Sequence, residues 1–303
     1  MRAVTFAEYG GPDVIKVIDL PDRTAGPGEV LVAVEAASIN PVDVTVRSGG
    51  AAAKAGTPPF IVGWDLAGHI VAVGEGVDAG LIGTYVLGFS PSFDGNNGTQ
   101  ASLAALGPEQ WAIAPESIPP AELTTLGMNA LTAWQVVRLA ELTAGETVLV
   151  TGATGAVGGY AVEFAARAKA EVWAMARDED AELVTGFGAS RVVPRDAAGA
   201  IAAAGDGVDV VLDTANLGAG ILGAVRDGGR YFTVGQPPES ERDVDVRRVG
   251  ARASAADLAE VVALAASGDL ALRLERTYPA DDAVEAYRDF ESGSHRGRIV
   301  LTF

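Results

Sequence analysis

Hydrophobic residues in the first third of the chain occur in short runs that are rich in β-branched side chains and separated by turn-forming residues. Runs of this length and composition, bounded by glycine and proline, are typical of β-strands. The strongest of them are RAVTF, VIKVIDL, EVLVAVEAASI, AGHIVAVG and TYVLGF. The pattern predicts an all-β, barrel-like domain over residues 1–118.

The pattern changes at Pro119, where apolar residues first recur at helical spacing. From there short apolar runs alternate with helical segments, an order that produces a doubly wound parallel sheet. The predicted strands are TVLV, EVWAMA, SRVV, VDVVLD and GRYFTVG. Residues 119–252 are therefore expected to form an α/β domain. Two further helices and two strands are predicted in residues 253–303, which are expected to return to the first domain.

A glycine-rich turn joins the first strand of the α/β domain to its first helix, within ETVLVTGATGAVGGYAVEFAARA. Gly155 lacks a side chain where the backbone must approach a pyrophosphate, and Gly158 allows the helix to pack closely on the strand. The helix N-terminus supplies free N–H groups and positive potential. Ala153 takes the usual first glycine position, and Ala156 and Val157 open the helix. This succession predicts a Rossmann-type site for a nicotinamide dinucleotide.

The letters TGATGAVG are also similar to the turn of extended short-chain dehydrogenases, which have a different active site. Two features argue against that architecture. The turn lies near the middle of the chain, and no tyrosine is followed four positions later by lysine; Tyr160, Tyr231 and Tyr287 all fail this test.

The end of the second strand of the α/β domain bears on the choice between NAD and NADPH. An acidic residue about 20 positions beyond the glycines would bind the ribose hydroxyls of NAD. Here the strand ends in Met175, Ala176 and Arg177, and a guanidinium group suits the 2′-phosphate of NADPH. The alternative is that Arg177 pairs with Asp178 or Glu179 and contacts no phosphate. The sequence favours NADPH.

Four more cofactor contacts are predicted where the fourth and fifth strands of this domain end. Ligands of doubly wound sheets bind at the carboxyl ends of the strands. The residues at these ends are Asp213, Thr214, Gly235 and Gln236, and backbone contacts are the expected mode.

Composition narrows the chemistry that these domains can perform. The chain has no cysteine and only two histidines, His69 and His295, so no metal site is predicted. A net charge of −18 disfavours nucleic acid and anionic lipid as partners. No apolar run reaches the roughly 18 residues needed to cross a bilayer, and the first residues lack a signal-peptide pattern. A cytoplasmic protein without nucleic-acid or membrane partners is expected.

Nearly the whole chain resembles the zinc-free quinone oxidoreductase branch of the medium-chain dehydrogenase/reductase superfamily. The segments that carry the resemblance are MRAVTFAEYGGPDVIKV, GPGEVLVAVEAASINPVDVTVRSG, PPFIVGWDLAGHIVAVGEGV, NALTAWQVV, VLVTGATGAVG, VDVVLDT, GGRYFTVG and RGRIVLTF. The resemblance implies a GroES-like catalytic domain built from both chain ends, a central Rossmann domain and a cofactor cleft between them. It also implies a homodimer, joined along the sheet edge near residues 244–252.

Zinc-dependent alcohol dehydrogenases of this superfamily bind their catalytic metal through a Cys, a His and a second Cys. The resemblance places Asn40, Trp64 and Met128 at these positions, and this set is not competent to bind zinc. Val42 stands where those enzymes relay the alcohol proton, and its side chain cannot carry one. The resemblance therefore implies reduction of an electron-poor acceptor rather than alcohol oxidation.

The resemblance also implies roles for individual residues. Asn40 is expected either to present its amide to the nicotinamide or a substrate carbonyl, or to be a buried turn residue. Thr45 replaces a tyrosine that lies near the nicotinamide in some relatives. Thr132 is expected to contact the cofactor, and Asp43 to order the loop by pairing with Arg47.

These observations predict an NADPH-dependent, zinc-independent reductase that transfers hydride to a quinone or an α,β-unsaturated carbonyl. Two alternatives stay open: a pathway-specific enoyl or enone reductase, as in polyketide tailoring, and a non-catalytic NADPH-binding redox sensor. Residues 51–59 and 90–97 are expected to form part of the rim of the substrate pocket. His69 is expected to be structural.

Overall fold

The computed structural model describes residues 1–50, 57–91, 97–293 and 295–303. Residues 51–56 and 92–96, which belong to the predicted pocket rim, lie outside the described residues. The chain forms two compact units. We call Met1–Met128 with Arg252–Phe303 the β-rich unit, and Asn129–Ala251 the α/β unit.

The strands and helices of the described residues are numbered here in chain order. The strands are β1 (Arg2–Phe6), β2 (Ile15–Asp19), β3 (Val30–Ser38), β4 (Phe60–Ile61), β5 (Asp65–Val73), β6 (Tyr85–Phe89), β7 (Leu103–Leu106), β8 (Trp111–Ile113), β9 (Thr147–Thr151), β10 (Glu171–Met175), β11 (Arg191–Val193), β12 (Val208–Asp213), β13 (Val225–Thr233), β14 (Val244–Arg248), β15 (Leu274–Pro279) and β16 (Arg298–Thr302). The helices are α1 (Pro41–Arg47), α2 (Pro120–Leu123), α3 (Leu131–Leu139), α4 (Ala156–Arg167), α5 (Ala181–Gly186), α6 (Ala197–Ala204), α7 (Ala219–Leu222), α8 (Ala255–Ala266) and α9 (Ala283–Ser292).

The β-rich unit contains two sheets, ordered β2-β1-β4 and β15-β16-β3-β5-β6-β8, and β7 also pairs with β3. The C-terminal segment enters this unit as expected, because β16 pairs antiparallel with β3. The prediction of an all-β domain was incomplete, since α1 follows β3 and α9 packs beside β16. One apolar cluster of this unit includes Phe6, Ile39, Tyr287 and Leu301. It joins residues that are far apart in the sequence.

The first boundary between the units lies after Met128, ten residues beyond the predicted position at 118. The helical pattern that begins after Pro119 is divided into α2, a π-helical segment over Leu126–Ala130, and α3. Because α2 packs against β3, β5 and β15, it belongs to the β-rich unit despite its helical sequence.

The α/β unit has one parallel sheet with the strand order β11-β10-β9-β12-β13-β14. This is a doubly wound Rossmann order. Successive strands are added on one side of β9 up to β11 and on the other side from β12 onward, and such sheets bind ligands at the point between β9 and β12 where the strand order changes. The predicted strands are confirmed, and β14 adds a sixth at the edge. The helix predicted near Leu217 is only the short α7. Across the described residues, no helix is sufficiently long and apolar to span a bilayer.

Candidate functional site

The turn between β9 and α4 brings the backbone of three glycines together. Gly152 has a φ of +60°, and its carbonyl oxygen accepts a hydrogen bond from the Gly155 amide at 2.8 Å. A Cβ atom built on Gly158 would lie 2.1 Å from that same oxygen and 2.7 Å from the Thr214 hydroxyl. A side chain at 158 therefore cannot fit without moving the turn, which agrees with the close helix–strand packing expected there.

The N-terminus of α4 has the form of an anion-binding site. Gly155 is the N-cap residue, its backbone is extended, and no side chain among the described residues caps the helix. The first backbone N–H groups, at Ala156, Val157 and Gly158, are therefore directed out of the helix end. Ala153 is fully buried, and its cofactor contact stays a prediction. These residues fit a pyrophosphate group.

Asp213 lies at the carboxyl end of β12, and its carboxylate forms hydrogen bonds with four groups of the α/β unit. Its carboxylate accepts hydrogen bonds from the Thr151 hydroxyl (2.6 Å), the Tyr231 hydroxyl (2.6 Å) and the amides of Leu217 (3.1 Å) and Gly218 (2.9 Å). Burial and this carboxylate raise the pKa of the Tyr231 hydroxyl. Asp213 therefore shapes the loop after β12, and its side chain has its acceptor positions filled.

The other residues predicted at this sheet edge differ in their surroundings. The Thr214 hydroxyl donates to the Thr151 carbonyl at 2.6 Å. A Cβ atom on Gly235 would lie 1.6 Å from the Asn216 side chain, which explains the glycine there. Gln236 is exposed, and Thr132 is buried on α3. Cofactor contacts of these residues stay predictions.

Arg177 follows β10 at the same edge of the sheet and is exposed. Its guanidinium forms an ion pair with Glu179 at 3.0 Å, and both side chains are more than half exposed, 52% and 64%. The local pairing that the sequence left open is thus present in this structure. An exposed pair of this kind contributes little energy, so it does not prevent Arg177 from reaching a ligand.

A second polar cluster lies in the β-rich unit, and Asp65 is at its centre. Its side chain is fully buried and accepts hydrogen bonds from the Ser38 amide (3.1 Å), the Ser38 hydroxyl, the Asn40 amide group (3.1 Å) and the Met128 backbone N–H (3.2 Å). Burial raises the pKa of Asp65, while these donors oppose that effect. Arg298, also buried, donates to the Asn40 side-chain oxygen at 2.6 Å. Asn40 is therefore held from both ends of its amide.

Asp43 orders the loop after β3, but not by the contact that the sequence predicted. Its carboxylate accepts from the backbone N–H groups of Asn40 (2.7 Å) and Gly63 (3.0 Å) and points inward. Arg47 pairs instead with Glu291 at 2.8 Å. The expected pairing of Asp43 with Arg47 was wrong, because the carboxylate accepts from one buried amide at the start of α1 and from another between β4 and β5. Burial raises the pKa of Asp43 to about 7.

Gln100 and Tyr287 connect this cluster to α9. The Gln100 amide group donates to the Ser38 carbonyl at 3.2 Å, and its oxygen accepts from the Tyr287 hydroxyl at 2.9 Å. The Arg47 guanidinium lies over the Tyr287 ring, 5.4 Å from its centroid. The residues from both chain ends thus share one buried hydrogen-bond network.

The structure gives separate surroundings to the three residues that match the zinc-ligand positions of metal-dependent relatives. The Asn40 amide is engaged as described, and Trp64 is buried with its ring 6.2 Å from that of Phe89. Met128 is half-buried and contributes its backbone N–H to Asp65. Thr45 is exposed on α1, where its hydroxyl donates to the Pro41 carbonyl at 3.1 Å. Of the four residues Asn40, Trp64, Met128 and Thr45, only Thr45 is exposed to solvent.

Sequence reasoning missed Asp65, Gln100, Tyr287 and Arg298 as members of this network. One signal was available for Asp65, which is a charged residue inside the otherwise apolar and small-residue run IVGWDLAG. A charged residue in such a run is rarely buried unless it has partners. The partners themselves lie up to 258 positions away, between Asn40 and Arg298, so no local pattern identifies them.

His69 connects two carboxylates at the surface of the β-rich unit. Its Nδ1 lies 2.5 Å from Glu35 and its Nε2 lies 3.0 Å from Glu116, and the ring is 5.0 Å from that of Tyr85. The hydrogen bonds to Glu116 and Glu35 raise the pKa of His69 above its ordinary value. This geometry agrees with the predicted structural role.

We expect His69 to stabilise the protein in mildly acidic solution. Because its folded-state pKa is above the unfolded value, the stabilisation is complete below about pH 6.5 and is lost as pH rises through the folded-state pKa. His69→Gln should lower the free energy of unfolding by up to about 1 kcal/mol at low pH and by less at high pH, since the site is a third exposed. Urea unfolding of both proteins at several pH values measures this difference. A loss that does not vary with pH would contradict it.

Comparisons with known proteins agree with this architecture. Residues 26–116 match the alcohol dehydrogenase GroES-like domain, and residues 187–301 match the zinc-binding dehydrogenase family. A quinone oxidoreductase of Rattus norvegicus is 34% identical over 78% of this chain and 73% of its own. The chain is a quinone oxidoreductase-like member of the medium-chain dehydrogenase/reductase superfamily. A solved quinone oxidoreductase from Coxiella burnetii has the same fold, with a TM-score of 0.89, 23% identity and coverage of 100% of this chain and 99% of its own.

The family also includes much longer proteins. A mycocerosic acid synthase-like polyketide synthase of Mycobacterium tuberculosis is 30% identical over 91% of this chain, but the chain spans only 14% of its length. The chain thus belongs to a family of oxidoreductases that bind a nicotinamide cofactor. Within the described residues of this member, no group of three or more His, Cys, Asp or Glu side chains could hold a metal.

Proposed function

We propose that this protein is an NADPH-dependent, zinc-independent reductase that transfers hydride to a quinone or an α,β-unsaturated carbonyl. The observation that carries the proposal is the hydrogen bonding of the Asn40 side chain, whose amide lies between Asp65 and Arg298. The matching residue of metal-dependent relatives is a zinc ligand. A chain with this substitution can still use a nicotinamide cofactor. At the three matching positions it has no competent zinc ligand, so the proposed reaction does not activate an alcohol through a metal there.

The α/β unit fits the cofactor. The backbone of Gly155, Ala156, Val157 and Gly158 would hold the pyrophosphate, because no described side chain caps α4 at Gly155 and its first N–H groups are open to an anion. The close approach of Gly158 to the Gly152 carbonyl oxygen keeps this end of α4 against the turn. When bound, NADPH supplies a hydride to an acceptor. Arg177 would contribute at the adenosine end, on the basis of its position after β10.

The residues at the zinc positions do not fit zinc. Asn40 is a weak ligand whose amide is already hydrogen bonded, and Trp64 is a buried aromatic residue. Met128 offers only a thioether, which suits softer metals. No step of the proposed reaction therefore passes through a metal.

In the proposed reaction the polar network of the β-rich unit holds Asn40 in place and does not donate a proton. Asp43 and Asp65 are fully buried and accept hydrogen bonds from several groups, so neither is exposed to deliver a proton. In the proposed reaction solvent gives the proton that accompanies the hydride. Asn40 is a positioning residue, and the exposed hydroxyl of Thr45 is the candidate for orienting the acceptor carbonyl.

The test is a cofactor and acceptor panel. Oxidation of NADPH and of NADH is followed with 1,4-benzoquinone, naphthoquinones and small enones, with and without chelator. We expect turnover with NADPH that chelator does not change. Alcohol oxidation that chelator abolishes would contradict zinc independence, and tight NADPH binding without turnover on any acceptor would favour the redox-sensor alternative.

A second candidate is reduction of an enoyl group in a dedicated pathway. The similarity to a segment of polyketide synthases supports it, since that similarity covers 91% of this chain. Enoyl thioesters added to the same panel separate the two candidates. A kcat/KM for an enoyl thioester far above that for every quinone would favour the pathway enzyme.

The proposed assembly is a homodimer joined along β14. This strand is at the edge of the sheet and carries Asp245 and Arg247 on the same face. If two copies of β14 pair antiparallel about Val246, Asp245 of one copy lies opposite Arg247 of the other. The charges on the strand are therefore self-complementary.

Charge exchange in β14 tests this assembly. Asp245→Arg alone should weaken the dimer by about tenfold, because two symmetric pairs become repulsive. The double variant Asp245→Arg with Arg247→Asp should restore it. Sedimentation velocity over a range of concentrations measures the change, and a wild-type protein that is monomeric throughout would exclude the dimer.

A further inference from the structure

The carboxyl ends of β10 and β11 place two arginines next to each other. The strands are parallel and their last paired residues are Met175 and Val193. Arg177 and Arg195 each lie two positions beyond this pair. Because adjacent strands are about 4.8 Å apart, both side chains begin from neighbouring points on the edge of the sheet.

The two arginines differ in what surrounds them. Arg177 is paired with Glu179. Arg195 is exposed, and its side chain has no hydrogen bond or ion pair with any other residue that the structure describes. Its acidic neighbour Asp196 is occupied elsewhere, since that carboxylate caps α6 by accepting from the Gly199 amide at 2.7 Å. Arg195 thus carries an uncompensated positive charge in a protein whose net charge is −18.

The backbone that carries Arg195 is restrained. Pro194 precedes it and fixes its own φ angle, and α6 begins at Ala197 with Asp196 as its cap. Gly199 lies so close to Pro194 that a Cβ on the glycine would be 2.8 Å from the proline Cβ. The backbone at Arg195 is therefore held in a short, packed connection, so little backbone freedom is lost when the residue binds a ligand.

We propose that Arg195 is the main determinant of selectivity for NADPH over NADH, with Arg177 in a lesser role. The proposal rests on the proposed use of a nicotinamide cofactor. In a Rossmann sheet the adenosine ribose lies beyond the second strand, here β10, so a 2′-phosphate would be within reach of the next strand, β11. A guanidinium group binds phosphate oxygens with paired donors. Arg195 can do so without first giving up a carboxylate partner.

The experiment measures dissociation constants of NADPH, NADH, adenosine 2′,5′-bisphosphate and 5′-AMP by calorimetry, so it does not depend on turnover. Arg195→Ala should weaken NADPH and adenosine 2′,5′-bisphosphate by about tenfold or more and leave NADH and 5′-AMP within about twofold. Arg177→Ala should have a smaller effect on the same ratio. Arg191→Ala is the matched control, since Arg191 is on β11 but its guanidinium lies over the Trp173 ring, 4.2 Å from the centroid.

The outcomes distinguish a failure of the Arg195 assignment from a failure of the proposed function. If the wild-type protein binds NADPH but Arg195→Ala leaves the NADPH to NADH ratio unchanged, the role of Arg195 is overturned while the proposed function stands. A ratio that changes only in Arg177→Ala overturns the role of Arg195 in the same way. If the wild-type protein binds neither dinucleotide, the proposed function itself fails.

Discussion

Replacing Asp65 by alanine is expected to lower the free energy of unfolding by about 3–5 kcal/mol, which is a large part of the stability of an ordinary domain. The carboxylate accepts hydrogen bonds from Ser38, from the Asn40 side chain and from the Met128 backbone, and all of these donors would lose a buried acceptor. The nearby Arg298 charge would also lose its opposite charge. Urea denaturation measures the loss.

Two further variants make this prediction specific. Asp65→Asn keeps one acceptor oxygen but places an NH₂ group opposite a donor, so an intermediate loss of about 1–3 kcal/mol is expected. Asp19→Ala is the control, because Asp19 is 81% exposed and its change should stay within about 0.5 kcal/mol. If Asp65→Ala and Asp19→Ala have the same stability, the network does not support the β-rich unit.

Replacing Gly158 by alanine is expected to damage both the fold and the binding of NADPH. The added Cβ would lie 2.1 Å from the Gly152 carbonyl oxygen, a backbone atom that cannot rotate away. Either α4 moves from the sheet or the turn changes shape, and each displaces the N–H groups proposed to hold the pyrophosphate. We expect a loss of about 1–3 kcal/mol in stability and a rise of about tenfold or more in the NADPH dissociation constant.

Gly186→Ala is the matched control for this variant. Gly186 ends α5 in the same unit, and a Cβ built on it would have no atom within 4 Å. Alanine there should be neutral or stabilise by up to about 1 kcal/mol, since it reduces the freedom of the unfolded chain. Calorimetry with NADPH and urea denaturation give two independent readouts. A Gly158→Ala protein that equals Gly186→Ala in both would show that the close approach of α4 is not required.

The order of elements in the α/β unit was predictable because it depends on local periodicity. Short apolar runs and helical spacing recur in alternation, and this order favours a parallel sheet that is covered by helices on both faces. The glycine turn was predictable for the same reason, since φ at Gly152 and the close contact at Gly158 are requirements of the backbone itself. The division at Met128 was not, because α2 has a helical sequence but packs on strands of the β-rich unit.

Side-chain roles were predicted less well than backbone roles. The sequence assigned Arg47 to Asp43, four positions away, whereas the fold brings Glu291 to Arg47 and backbone amides to Asp43. For Arg177 the sequence left two alternatives, and the structure contains one of them, the ion pair with Glu179. The contact of Arg177 with a 2′-phosphate stays a prediction. The partner of Arg47 depends on which charged group is nearest in space, and spacing along the chain does not contain that information.

The sequence by itself determined the Rossmann pattern and the position of the glycine turn, because each follows from residue type and local order. The assignment of Asn40, Trp64 and Met128 to the zinc positions came from the resemblance to the family and not from the local pattern. Only the tertiary structure decided how Asn40 is held, since Asp65 and Arg298 reach it from a distant strand and from the C-terminal strand. It also showed that Arg177 is paired with Glu179, whereas Arg195 has no carboxylate partner among the described residues. Pairing of buried or neighbouring charges depends on distances that arise only when remote segments pack together.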